Sequence, residues 1–424
     1  MVFPGKGRFL ALLVAFLAMS IGIASAGAAG SAAVGKQSPV GEIRLTATDP
    51  VSTADFGRSV ALDGDLVAVG AGGADAGGVP NAGAVYLFRR LGQAYIPEAK
   101  LVAPDPSDKA EFGRAVAIRG NTVIIGARFA QAGTLSKAGA AYVYGKHGGS
   151  WQFEEKITSP NPGNEDNFGR ALAIQGDVLV VTARKEKTDA DDVGAAYVFR
   201  NRGGSWTFQD KLTASDPAPG AYFGQSVALQ GDLLAVGARN ADPGGAGGFY
   251  LFRRSGNGWM EFAKVTPPNG KKNDQYGFTI AINGDTIAVG ARRADMGTSK
   301  PDTGAAYVYS LQGDSVELVT KLTASDAEAY DEFGQSVALA GDIIAVGAWK
   351  DDIGDNLDQG SIYLFRRAGG EWIGAGKVAA SDGMAGDEFG YSLAAFGNRL
   401  VTGAHTADFI SPDGGAAYVL PLKP

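Results

Sequence analysis

Apolar residues along this chain fall in short runs rich in Val, Ile, Tyr and Phe, each bounded by Gly, Asp or Asn. Such runs read as strands. Beyond the first segment, no window sustains the 3.6-residue apolar spacing of an amphipathic helix. The runs also recur. "YFGQSVALQGDLLAVGAR", from Tyr222 to Arg239, returns as "EFGQSVALAGDIIAVGAW" from Glu332. Seven pairs mark the copies: Phe56-Gly57, Phe112-Gly113, Phe168-Gly169, Phe223-Gly224, Tyr276-Gly277, Phe333-Gly334 and Phe389-Gly390. They are spaced by 56, 56, 55, 53, 57 and 56 residues. A second phrase follows each pair, such as "GAVYLFRR" from Gly83 or "GAAYVFRN" from Gly194, and most copies end on a third, such as "WTFQDKLT" from Trp206. Four strands per unit, repeated seven times, predict an all-β, seven-bladed β-propeller with four antiparallel strands per blade. A solenoid is the alternative, but its repeats are usually shorter and its ends need caps.

The ends of the chain favour a closed ring. The last copy stops after "GAAYVLPLKP" with three strands, while "GEIRLTATDP" from Gly41 matches "DKLTASDP" from Asp210. The N-terminal strand is therefore expected to complete the last blade, which leaves no open sheet edge. Within each unit, Gly-Asp or Gly-Asn separates the first two strands, as at Gly64-Asp65 and Gly231-Asp232. Gly in the first central position fits a two-residue type II′ hairpin. That turn sets Leu229 opposite Leu234, Val227 opposite Val236, Ala228 opposite Ala235 and Ser226 opposite Gly237. One sheet face is then bulky and the other flat, so each blade can pack its bulky face on a neighbour's flat one.

Composition adds location and removes chemistries. Gly 63 is about twice the usual share, as expected of many tight turns and small-residue faces. At the N-terminus, Lys6 and Arg8 precede an apolar run from Phe9 to Ile23 and an Ala24-Ser25-Ala26 cleavage site. That reads as a secretory signal peptide over residues 1–26, followed by a linker over 27–40 and the propeller over 41–424. No later stretch is expected to cross a membrane, so the mature chain is expected to be secreted, periplasmic or at the cell surface. Cys 0 removes disulfides, zinc-thiolate sites and thiol nucleophiles. The net charge of −7 becomes −9 once Lys6 and Arg8 are lost, and an acidic exported chain is a poor binder of nucleic acid.

The Phe-Gly…Gly-Ala pattern resembles the FG-GAP repeat, the unit of the seven-bladed propeller at the head of integrin α subunits and of many bacterial exported proteins. The resemblance covers residues 41 to 424. It departs from the family in two ways. The final Pro of Gly-Ala-Pro is absent, as in "GAR" at Gly126, Gly237 and Gly290. The Asp-rich calcium loop that integrins carry between the first two strands has shrunk to Gly-Asp, and two residues cannot supply the six or more oxygens calcium needs. Family-style calcium sites are therefore not carried over. The resemblance implies that partners meet the face bearing the 2–3 and 4–1 connections.

On that face the connections are long and acidic, as in "ASDAEAYDEFG" from Ala324 and "ASDGMAGDEFG" from Ala380; the opposite face is short and basic, with Arg89-Arg90, Lys146-His147, Arg253-Arg254 and Arg366-Arg367. Either the disc is polarised for binding, or these are solvated turns with Arg stems covering strand ends. Where the second strand leaves the sheet stand Arg128, Arg184, Arg239, Arg292, Trp349 and His405. They form a candidate anion or sugar site if they ring the axis; otherwise each Arg pairs with a neighbouring blade's acid, such as Glu111, Asp166, Glu332 or Glu388. One loop, "DDIGDNLDQG", sets Asp351, Asp355, Asn356 and Asp358 as candidate calcium ligands. Its composition is unlike that of the other six. His147 and His405, the only two His, are assigned to opposite faces, and no nucleophile elbow, phosphate loop or metalloprotease helix occurs. The sequence is therefore expected to specify an exported, non-enzymatic binding or adhesion scaffold, acting as a monomer on an extracellular protein or glycan. A secreted carbohydrate lyase or hydrolase, or a lectin, with its site at the acidic face, is the alternative reading.

Overall fold

The computed structural model describes residues 41–187, 190–242, 244–409 and 411–422; the expected signal peptide and linker lie outside them. Strands β1 (Ile43–Leu45), β2 (Phe56–Asp63), β3 (Leu66–Ala71), β4 (Ala84–Leu91) and β5 (Ala94–Leu101) open the chain. Strands β6 to β25 repeat the last four over residues 112–378, and β26 (Ser392–Phe396), β27 (Arg399–Ala404) and β28 (Ala416–Pro421) close it. All fall into seven four-stranded antiparallel sheets, one per blade. Blade 7 runs β1-β28-β27-β26, with Ile43 opposite Val419. The N-terminal strand supplies the missing outer strand, and blade 7 packs on blade 1 through Val401, Ala417 and Val419.

The hairpin register is the expected one. Ser226 faces Gly237, Val227 Val236, Ala228 Ala235 and Leu229 Leu234. Gly231 has φ +57 while Asp232 stays negative, as a II′ turn requires. The bulky side of blade 4, with Val236, Leu234 and Tyr250, packs on Val178, Val180 and Val198 of blade 3. Its flat side, Ala228 and Ala235, receives Ile280, Ile287 and Val289 of blade 5. Flatness is confined to the first two strands; the third adds Phe249 and Leu251 to the same interface.

The recurrent phrases interlock. Each Phe-Gly aromatic is fully buried, about 1.5–3 kcal/mol of burial apiece. It sits edge-on to the Tyr of its blade's third strand, 5.4 Å for Phe223–Tyr250 and 5.2 Å for Phe389–Tyr418. In every blade but the fifth, that Tyr hydroxyl leaves the core to meet a carboxylate, as a rule an Asp in the connection entering the blade, and a basic side chain of the outer strand closes the clasp. Tyr250 donates to Asp216 at 2.8 Å and Lys264 reaches the same carboxylate at 2.5 Å. Asp49, Asp105 and Asp326 do the same in blades 1, 2 and 6. In blade 7 Asp382 takes Tyr418, with Arg44 of β1 in place of Lys. Where the connection carries Asn161, blade 3 recruits Glu186 from its own 2–3 loop. Adjacent blades are also laced by backbone, the Phe112 N–H donating to Ala82 O at 3.0 Å and the Phe223 N–H to Val193 O at 2.9 Å.

Candidate functional site

The Phe-Gly pair builds a bulge. Phe56 pairs with Ala71 and Ser59 with Gly70, so Gly57 and Arg58 have no partner on β3. The same break follows Phe112, Phe223, Tyr276 and Phe333. Such a bulge re-aims the side chain it carries. Glycine is required here. Gly113 has φ +93, and a Cβ there would lie 2.5 Å from Ala84 O of the preceding blade. The residue after the glycine then turns toward the ring axis. Arg58, Arg114, Arg170, Gln225, Phe278, Gln335 and Tyr391 together line one axial pocket of about 260 Å³, at the end where the strands begin. These seven positions were missed at the sequence level. The signal was there, as a single column of unlike residues beside a nearly invariant Phe-Gly pair in all seven copies.

The pocket is cationic on one side. Arg58, Arg114 and Arg170 come from three successive blades. Among the described residues none of their guanidiniums donates a hydrogen bond to the protein, and their Nε atoms are buried without a partner. Arg58 stands 3.6 Å from Asp55 and Arg114 3.7 Å from Glu111, while Arg170 forms no ion pair. Burial and the neighbouring cations push Arg114 down to about 10, and burial with Arg114 and Arg184 pushes Arg170 well below the usual arginine range. Tyr391 shows the field from the other side. Burial alone would raise its phenol, yet Arg114, Arg58 and Arg170 bring it below its ordinary value. The remaining wall is neutral, with Tyr391 edge-on to Trp349 at 5.3 Å and stacked on His405 at 4.0 Å.

The residues expected to ring the axis form a second tier, and all but Arg184 first meet their own blade rather than the next one. Arg128 makes a two-pronged contact with Glu111, at 2.6 and 3.0 Å. Burial would lift the Glu111 carboxyl, but Arg128 holds it below the ordinary value. Arg239 lies over Tyr222, 4.5 Å from the ring centre. Trp349 donates Nε1–H to Glu332 at 3.1 Å. His405 lies 3.0 Å from Glu388 without hydrogen-bond alignment. Burial with Arg58 and Arg114 holds its pKa well below the usual histidine value, so the contact is not an ion pair. Among the described residues, two make polar contacts across blades, Arg184 to Gln225 at 3.1 Å and Arg292 to Gln335 at 3.0 Å and Glu332 at 3.1 Å, and Trp349 crosses to Tyr391 through its ring. The expected pairing of each Arg with a neighbouring blade's acid thus holds for Arg292 alone. Burial and then Arg239 lower Arg184 to about 9.

The acidic connections engage most of their carboxylates within the protein. In "ASDAEAYDEFG", Asp326 clasps Tyr363 and Lys377, Glu332 serves Arg292 and Trp349, and Asp331 accepts the Glu328 N–H at 2.7 Å. Burial raises Asp331 to about 7 and its counterpart Asp387 to about 6. The basic turns are met by acids of their own face, as in Arg200–Asp177 at 3.2 Å, Arg253–Asp314 at 2.9 Å and His147–Glu154 at 2.6 Å. The loop from Asp351 is ordinary in its backbone; its Ile353–Asn356 bridge repeats Ala76–Val79 and Ala132–Leu135. Its donor set does not fit calcium. Asp351 is buried against Lys377 at 2.7 Å and Tyr363 at 3.1 Å, and Asn356 presents its NH₂ to Gln359 and Gly383 O. Asp355 and Asp358 do not join them in a metal cage, and no three His, Asp or Glu side chains gather as one among the described residues. A hollow of about 630 Å³ opens between blades 1 and 2, where Gly72 stands in the place of Arg128; Phe129, Lys137, Asn81 and Thr53 line it.

The FG-GAP repeat family matches the chain seven times, over residues 40–88, 95–144, 151–199, 206–252, 259–309, 316–365 and 372–420. Each match joins an outer strand to the first three strands of the next blade, so the sequence unit is offset from the blade by one strand. No curated protein matches the chain.

Proposed function

The chain belongs to the FG-GAP repeat family, and we propose that it serves as an exported, non-catalytic binding scaffold. The face carrying the 2–3 and 4–1 connections meets an extracellular protein or glycan, and the chain acts as a monomer. One observation carries this reading: the frame repeats while the side chains it aims at the axis do not. The seven positions that follow the Phe-Gly or Tyr-Gly pairs deliver three Arg, two Gln, a Phe and a Tyr to one pocket. A purely structural position would be expected to repeat its residue as the Phe-Gly pair does. The hollow beside Phe129 lies on the same face and supplies an aromatic wall with polar groups, a composition suited to a sugar or peptide.

One feature supports a role without catalysis. Asp331 and Asp387, which hold protons to about 7 and about 6, each receive a backbone N–H from three residues earlier. That is the use of a loop cap. No helix among the described residues is long and apolar enough to cross a membrane. The test is a glycan and extracellular-protein array probed with the chain, with and without calcium. Saturable binding that is lost on mutating Phe129 or the axial residues supports the reading. Turnover of any glycan, or absence of any partner, overturns it. Loss of binding on chelation would restore a calcium role.

A further inference from the structure

Among the described residues, the axial pocket gathers several donors that meet no acceptor in the protein. Gln225 Oε1 accepts from Arg184 Nη1, and Gln335 Oε1 accepts from Arg292 Nη1. Arginine has no acceptor to offer in return, so both amides are oriented with their NH₂ groups left over. Neither NH₂ has a hydrogen-bond partner among the described residues, and both glutamines line the pocket. To these add the guanidiniums of Arg58, Arg114 and Arg170, which donate nothing to the protein. A buried donor without an acceptor is costly, and a buried cation more so. Three of them face a space of about 260 Å³, below the range of about 300–1,000 Å³ for drug-sized ligands. That space suits one small group. The guanidinium fork matches planar oxyanions.

We propose that the axial mouth is a carboxylate-binding site: Arg58, Arg114 and Arg170 hold the carboxylate of a small acidic sugar or organic acid, and Gln225 and Gln335 donate to its remaining oxygens. The site deepens the scaffold reading, since it lies on the face assigned to partners. The nearby acids do not fill the same role. Asp55 approaches Arg58 and Glu111 approaches Arg114 from the second tier, and Glu111 is held in a two-pronged contact by Arg128. Arg170 has no ion pair and no hydrogen bond among the described residues, so no protein carboxylate competes with a ligand for it.

The test is titration calorimetry on the full chain with glucuronate, acetate and glucose, repeated on Arg114→Gln and Arg170→Gln, with Arg253→Gln on the opposite face as control. Glucuronate should bind saturably and glucose should not. Each axial variant should weaken glucuronate about tenfold or more, while Arg253→Gln leaves it unchanged. Thermal melts establish that the variants fold. Glucuronate well above acetate identifies a sugar acid; parity identifies a free organic acid; both support the site. Equal binding of glucose, or affinity indifferent to Arg114→Gln and Arg170→Gln, overturns it. Partner binding on the array that survives both substitutions sinks the axial site and leaves the scaffold reading. Glucuronate binding with no array partner does the reverse.

Discussion

At the rim, Tyr250 gives its hydroxyl to Asp216 and Lys264 completes the clasp at 2.5 Å. At the axis, Arg170 has neither a hydrogen bond nor an ion pair among the described residues, and its Nε is buried without a partner. At the axis the cations are buried, where an unmatched group is expensive; at the rim a buried tyrosine meets a carboxylate that is itself exposed. The rim matches its polar groups in nearly every blade, and even finds Glu186 where Asn161 replaces the usual Asp. The axis leaves its own open. A protein can sustain that gap only if the rest of the ring is well stabilised, so the rim's regularity is what allows the axis to vary. The difference separates residues that hold the ring from residues that are free to serve a ligand.

The strongest way to break the comparison is to break the frame both regions share. Gly113→Ala forces an L-residue into φ +93 and drives a Cβ to 2.5 Å from Ala84 O of the preceding blade. Neither can relax without shifting the bulge that aims Arg114 or the strand that carries Tyr86. The expected loss is about 3 kcal/mol or more, read by urea unfolding. A loss under about 1 kcal/mol would show that the bulge is not the rigid element described.

Next in size is a cut at the rim. Asp216→Ala strands the Tyr250 hydroxyl and frees Lys264, with an expected cost of about 1–2 kcal/mol at neutral pH. Its pH dependence has a definite sign. Burial pushes the Asp216 carboxyl up, but Lys264 and Tyr250 more than offset it and hold it below its ordinary value. A depressed carboxylate stabilises the fold above its unfolded pKa, and that contribution is lost as pH falls through the folded value. The gap between wild type and Asp216→Ala should therefore be full at pH 7 and narrow once pH drops below the ordinary Asp range, about 3.9. A gap that widens toward acid would contradict the clasp.

The frame was legible in the sequence because its rules are local and repeated. Gly231-Asp232 dictates a turn, the turn dictates which of Val227 and Ala228 faces which blade, and seven copies average out exceptions. The strand from Gly41 showed how the ring closes for the same reason. The axial site was not legible by that route. Arg128 and its counterparts were singled out because they follow a conspicuous phrase, but a side chain at a strand's exit can reach back 17 residues to its own blade, as Arg128 does to Glu111. The residues that do face the axis sit inside a strand pattern, where alternation alone would assign them to a sheet face. Only the positive φ of Gly57 and its counterparts lifts Arg58 out of that alternation, and a bulge changes the phase without changing the composition. The acidic connections misled differently. Charge does not say which carboxylates turn inward: Asp331 and Glu332 do, while Asp326 stays exposed and is tied to Tyr363 and Lys377.

The smallest expected effect is the most discriminating. If Arg170 belongs to the frame, Arg170→Gln should cost what Asp216→Ala costs, because a buried group would lose its partners. Among the described residues it has none to lose. Burial, Arg114 and Arg184 all act against its charge, so a neutral side chain relieves repulsion and desolvation while giving up some packing from the arginine stem. The two nearly cancel, and the unliganded variant should lie within about 0.5 kcal/mol of wild type. What it should lose is ligand-dependent stabilisation. Wild type gains RT ln(1 + [L]/Kd) in saturating glucuronate, about 2.7 kcal/mol at a hundredfold excess over Kd, and at the same concentration the variant should gain far less. Urea unfolding of both chains with and without glucuronate reads the two quantities in one experiment. A loss of about 2 kcal/mol or more in the unliganded variant would place Arg170 with the rim clasps, among the residues that hold the ring together.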